Sequence, residues 1–119
     1  MFNLTSFSLL IGIVAVLVGT GAILFPVRSA LGFGIVAPSE QSAYVRATGA
    51  RDVFIGLVFI LLHSTHDIAA LAKVCAFTAL VSLIDFFLTF HYGKRLNALV
   101  HLSATLTLTG YGFLLWAHR

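Results

Sequence analysis

The stretch RATGARDVFIGL, Arg46 to Leu57, decides the fold. Two arginines and an aspartate stand directly before an apolar run in a chain that is 60% hydrophobic and 9% charged over 119 residues. If those charges lie in a loop, the apolar core behind them, Val53 to Leu62, is too short to cross a hydrocarbon layer of about 30 Å. If the helix begins near Ser39, with Pro38 before it and Ser39 as N-cap, its length is ample. Arg46, Arg51 and Asp52 then fall inside a helix. The second reading is preferred here, with a re-entrant segment as its alternative.

Composition sets the frame for that choice. Soluble domains carry about 25% charged residues, and a mean hydropathy of +1.05 leaves too few polar groups to cover a water-facing surface. The sequence therefore predicts an all-α integral membrane protein with a single domain and no room for a separate soluble enzyme domain. Cys75, the only cysteine, rules out an internal disulfide and reads as a small packing residue. A net charge of +3 fits loop charges that fix orientation better than an affinity for nucleic acid.

Four apolar segments follow, at about residues 4–25, 39–64, 67–91 and 96–117. The first resembles a signal-peptide core over Met1 to Ala22 but lacks a basic start, and it reads as a membrane helix ended by Pro26. A glycine-containing connection comes next. HSTHD, His63 to Asp67, reads as a tight turn with Asp67 capping the third helix. YGKRLN forms the turn before the fourth, with Gly93 suited to a helix C-terminus. The strand-like TLTLTG stays helical, because an isolated strand in lipid leaves backbone groups unpaired. The expectation is a four-helix bundle with both termini on one side. Arg28, Arg46, Arg51, Lys94 and Arg95 outnumber Lys73 and Arg119, which places the first and third connections in the cytoplasm.

This topology gathers Arg46, Arg51, Asp52, Asp85, His91, Lys94, Arg95 and His101 toward one membrane side. Asp85 and His101 lie below the headgroups, about 9 and 7 Å along their helices at 1.5 Å per residue. They should therefore face the bundle interior or a wet cavity. Thr78, Ser82, Asp85 and Thr89 form one polar stripe, and Gly49, Asp52, Gly56 and Phe59 share another face, where the glycines would admit a neighbouring helix. His101 and Thr105 share a face of the last helix, and Tyr44 and Tyr92 stand near the mouth of the implied pocket.

Each of these residues also has a plainer reading. Asp85 must be paired with Arg51 or His101 or hold a proton, and a buried pair that only fixes register competes with an acid–base role. Asp52 could simply pair with Arg46 or Arg51, and either arginine could snorkel to the interface. His63, His66 and Asp67 have metal-ligand chemistry but flank a turn without further ligands, so a solvated hairpin is preferred to a metal site. Trp116 reads as an interfacial anchor.

At GARDVFIGL, followed by Asp85 and His101, the chain resembles the short four-helix membrane proteins of bacteria and fungi catalogued as domain of unknown function 4267. In that family a Gly-x-Arg-Asp segment opens the second helix, an acidic residue sits late in the third, and a histidine lies in the fourth. The resemblance implies corresponding positions at Gly49, Arg51 and Asp52, then Asp85, then His101. It supplies no activity.

The leading expectation is a membrane-embedded enzyme performing proton-transfer chemistry (isomerisation, cyclisation or epoxide opening) on a lipophilic substrate from the bilayer. Asp85 or Asp52 would act as acid or base with His101 as proton partner, and Arg51 would orient a carboxylate or stabilise negative charge. Tyr44, Arg46, Ser82, Thr89, Tyr92 and Thr105 are the expected substrate-contacting residues. No cofactor or metal is expected, and the partners expected are membrane lipid and a lipophilic small molecule. The alternative is a non-catalytic binding or transport protein, which glycines and threonines on the second and fourth helices could assemble into a homo-oligomer.

Overall fold

The computed structural model describes residues 3–32, 34–36 and 42–119. All regular structure among them is helical: α1 (Ser6–Leu24), α2 (Pro26–Gly32), α3 (Ser42–Thr65), α4 (Ile68–Tyr92) and α5 (Arg95–Ala117). By length and composition, α1, α4 and α5 can each cross a membrane. α3 is also 24 residues long but carries Arg46, Arg51 and Asp52 in its first half. The expected helix start at Ser39 lies outside the described residues. From Ser42 onward the backbone is helical, so all three charges belong to a helix.

Two connections differ from expectation. α1 does end before Pro26, but the chain then forms the short α2 instead of an irregular loop. Phe25 leaves helical geometry (φ −131°, ψ 64°), as a residue before proline tends to do. Pro26 then occupies the first position of α2, where a missing N–H costs nothing. At HSTHD the helix continues through Thr65 and the reversal is confined to His66 and Asp67. His66 takes the left-handed conformation at φ 54°. Asp67 caps α4 by accepting a hydrogen bond from the Ala70 N–H at 2.9 Å.

The long helices pack as two pairs. α1 lies along α3 and α4 along α5, whereas α3 and α4 touch sparingly. The α1–α3 seam is made by glycines a heptad apart on both helices, with Gly12 facing Gly56 and Gly19 facing Gly49 in antiparallel register. A Cβ on Gly56 would lie 2.6 Å from the Gly12 carbonyl oxygen, so the backbones meet directly. In the α4–α5 seam, Gly112 packs against Cys75 and a Cβ there would come within 2.9 Å of the cysteine Cβ. Cys75 is fully buried in a core with Phe59, Leu71, Leu108 and Leu115, which accounts for a small residue at that position.

At the end that holds the start of α1 and the end of α5, hydrogen bonds tie the residues before α1 to α5 across the pairs and to α3 within their own pair. Tyr111 donates its hydroxyl to the Leu4 carbonyl at 2.7 Å. His63 Nδ1 lies 2.9 Å from the Thr5 carbonyl oxygen, which also accepts from Ser8 Oγ at 2.5 Å. Carbonyls near a helix start thus gain side-chain partners from α3 and α5. At the opposite end α2 leans on the α4–α5 turn, where Asn97 Nδ2 donates to the Gly32 carbonyl at 2.7 Å. Gly34, at φ 72°, sits so close to Lys94 that a side chain would collide with its backbone.

Candidate functional site

The sparse contact between α3 and α4 is bridged by one arginine. Arg51 donates from Nη1 to Asp85 Oδ1 at 3.2 Å and from Nη2 to Asp85 Oδ2 at 2.9 Å, a two-point grip on one carboxylate. The same guanidinium donates to Asp52 Oδ1 from Nε at 3.2 Å and from Nη2 at 3.1 Å. Arg51 and Asp52 are adjacent on α3, so the bend of the arginine side chain lets one cation serve two carboxylates. Four of its N–H groups are engaged, which leaves little of Arg51 for an anionic ligand. Asp52 Oδ2 makes no hydrogen bond among the described residues. Asp85 has both oxygens held, while Asp52 has one held and one available.

These groups are partly sheltered: Asp52 and Asp85 are 22% and 21% exposed and Arg51 is 35% exposed. His101 of α5 stands beside these groups, on the same cavity wall as Asp52 and Asp85. Counting formal charges, Arg51 balances one carboxylate. The other is balanced only if it or His101 carries a proton.

Two hollows meet at this cluster. The larger, about 460 Å³, is a cleft between the helix pairs. Its walls are mainly aliphatic side chains of α1, α4 and α5, and Asp52, Asp85 and His101 stand in it together with Thr78 and Ser82. Its rim includes the exposed Leu10, Val14 and Val18 of α1 and the exposed Val100, Ser103 and Thr107 of α5, so the cleft opens sideways between those helices. The smaller hollow, about 210 Å³, lies at the α2 end and is lined by Ala30, Ile35, Tyr44, Val45, Thr48, Asp85, Leu88, Thr89 and His101. Asp85 and His101 belong to both walls.

The sequence-predicted residues therefore divide. Arg51, Asp52 and Asp85 form one hydrogen-bonded group, with His101 beside it. Ser82 lines the cleft, and Tyr44 and Thr89 line the end pocket. Arg46 and Tyr92 are exposed and line neither hollow; the Tyr92 ring packs edge-on against His91 at 4.6 Å. Thr105 also lies off both walls, with its hydroxyl donating to the His101 carbonyl at 2.8 Å on its own helix. Thr48, on the end-pocket wall, was missed, although it stands one helical turn before Asp52. Among the described residues no group of three or more His, Cys, Asp or Glu is placed to hold a metal ion.

The family profile for a domain of unknown function, DUF4267, matches residues 12–115, and the chain belongs to that family. No curated protein and no solved structure matches it.

Proposed function

We propose that this member of the DUF4267 family is a membrane-embedded enzyme that moves protons on a lipophilic substrate drawn from the bilayer. The observation that carries the reading is the placement of Asp52, Asp85 and His101 in the wall of an apolar cleft that opens sideways. An apolar body would fill the aliphatic part, and its polar group would meet the charged end. Asp52, with one oxygen unengaged, holds the proton that it delivers, and His101 accepts the proton that leaves. Arg51 and Asp85 are positioning residues: their ion pair fixes the Asp52 carboxylate and keeps α3 against α4. Such a step needs no oxidant or reductant.

In this reading α3 is the fourth membrane span and the bundle is a four-helix one, with Arg51 neutralised inside it instead of facing lipid. The α2 end and the α4–α5 turn carry Arg28, Arg46, Lys94 and Arg95, so they face the cytoplasm and both termini lie across the membrane.

The test compares lipid-extractable metabolites from cells with no protein, with wild type, and with Asp52→Asn or His101→Asn at matched protein levels. Both variants should give the profile of cells without the protein. If both restore the wild-type profile, the cleft binds without catalysis or serves another purpose.

A further inference from the structure

The cleft accounts for a lipophile but leaves the second hollow unused. That end pocket differs from the cleft in position. Its wall is mostly apolar, with hydroxyl-bearing Tyr44, Thr48 and Thr89 among its lining residues, and Tyr44 is 78% exposed at its rim. It sits beneath α2, at the end of the molecule where Arg28, Arg46, Lys94 and Arg95 cluster. Its volume of about 210 Å³ has room for a handful of waters at about 30 Å³ each, and it offers the several hydrogen-bonding groups such waters need. It reaches the same Asp85 and His101 that the cleft reaches from the other side.

We propose that the end pocket delivers water to the site, so that the reaction adds water to the lipophile instead of rearranging it. The inference rests on the acid–base reading above and names its second reactant. Water held against Asp85 and His101 approaches a substrate carbon lying in the cleft. The water O–H bond breaks, its proton passes to His101, and its oxygen bonds to that carbon. The C–O bond already on the carbon breaks, and the departing oxygen takes the proton of Asp52. Return of the proton from His101 to Asp52 restores the site. The substrate class is a neutral apolar molecule with an activated C–O bond, of which an epoxide is the smallest case.

The test has two arms. In the first, Thr48→Cys and Ser82→Cys chains in sealed vesicles meet a charged, membrane-impermeant methanethiosulfonate. The wild-type chain, whose Cys75 is fully buried, sets the baseline. Because the reagent needs water and a thiolate, Thr48→Cys should react on the order of tenfold faster than Ser82→Cys, from one side of the membrane only. Equal, baseline-level rates for both would mean a dry end pocket and would overturn the inference. In the second arm, cells carrying wild-type protein grow in H₂¹⁸O, and the metabolite whose level depends on Asp52 and His101 is weighed. One heavy oxygen gained supports water addition. A product that depends on both residues yet gains no solvent oxygen overturns water as reactant and leaves the acid–base reading standing. Loss of the dependence on both residues removes the acid–base reading itself, and with it water as a reactant, whatever the labelling rates.

Discussion

Gly56→Ala is the sharpest test of the framework that holds the site. The new Cβ would stand 2.6 Å from the Gly12 carbonyl oxygen and 2.8 Å from the Val16 backbone nitrogen. Neither atom can swing aside as the tip of a side chain could, so α1 and α3 must separate. Overpacking of this kind costs about 1–3 kcal/mol. Gly110→Ala supplies the control, because a Cβ there meets nothing within 4 Å. It should gain up to about 1 kcal/mol from helix propensity alone. Gly56→Ala gains the same propensity, which cancels in the comparison, so the two alanine variants should differ by about 1–3 kcal/mol in unfolding free energy, the overpacking cost alone. Titration of purified protein in mild detergent with a denaturing detergent, followed by circular dichroism, reads that difference. Gly56 stands one turn beyond Asp52 on α3, so the Gly56→Ala variant should also lose part of the metabolite signal. Equal stability of the two variants would refute the direct backbone contact and the antiparallel register built on it.

Asp85→Asn keeps the side-chain shape but removes the charge from the α3–α4 bridge. In the same titration it should cost about 1.5–3 kcal/mol, the range for a hydrogen bond to a charged group. Arg51→Lys should not match wild type in either stability or metabolite profile, since an ammonium cannot grip one carboxylate at two points while serving a second. Tyr111→Phe removes the donor to the Leu4 carbonyl and should cost about 0.5–1.5 kcal/mol. Asp67→Ala should cost about 1 kcal/mol through loss of the α4 cap, and Asp67→Asn should recover most of it.

What the sequence disclosed depended on how local its cause was. Pro26 and Asp67 act on their own backbone neighbours, so they mark helix ends without knowledge of the fold. The stripe Thr78, Ser82, Asp85, Thr89 follows from helical period alone, and its members line one hollow or the other. Gly49 and Gly56 announced a close neighbour, but its identity required α1 to be laid antiparallel with Gly12 and Gly19 in register. The position of Thr105 failed for a local reason that a face count omits: its hydroxyl turns back to its own helix. α2 was hidden because VRSALG is too short and mixed to show a period, and its burial of Ala30 depends on the neighbouring helices. The division of labour between the two carboxylates was equally out of reach. Asp85 was the stronger signal in sequence because it interrupts an apolar run. Yet Asp52 keeps an oxygen available, a difference set by how the Arg51 side chain bends.

The unequal packing of the helices has a practical consequence. Glycine and alanine seams lock α1 to α3 and α4 to α5, while the cleft leaves the two pairs poorly joined along much of their length. A molecule that fills the cleft touches both pairs at once and works as a mortar between them. At a free concentration a hundred times its Kd it would add about 2.7 kcal/mol to the apparent stability. Thermal stability in detergent thus becomes a detector for any ligand of the cleft, and a panel of neutral lipophiles ranked by Tm shift tests the proposed substrate class directly.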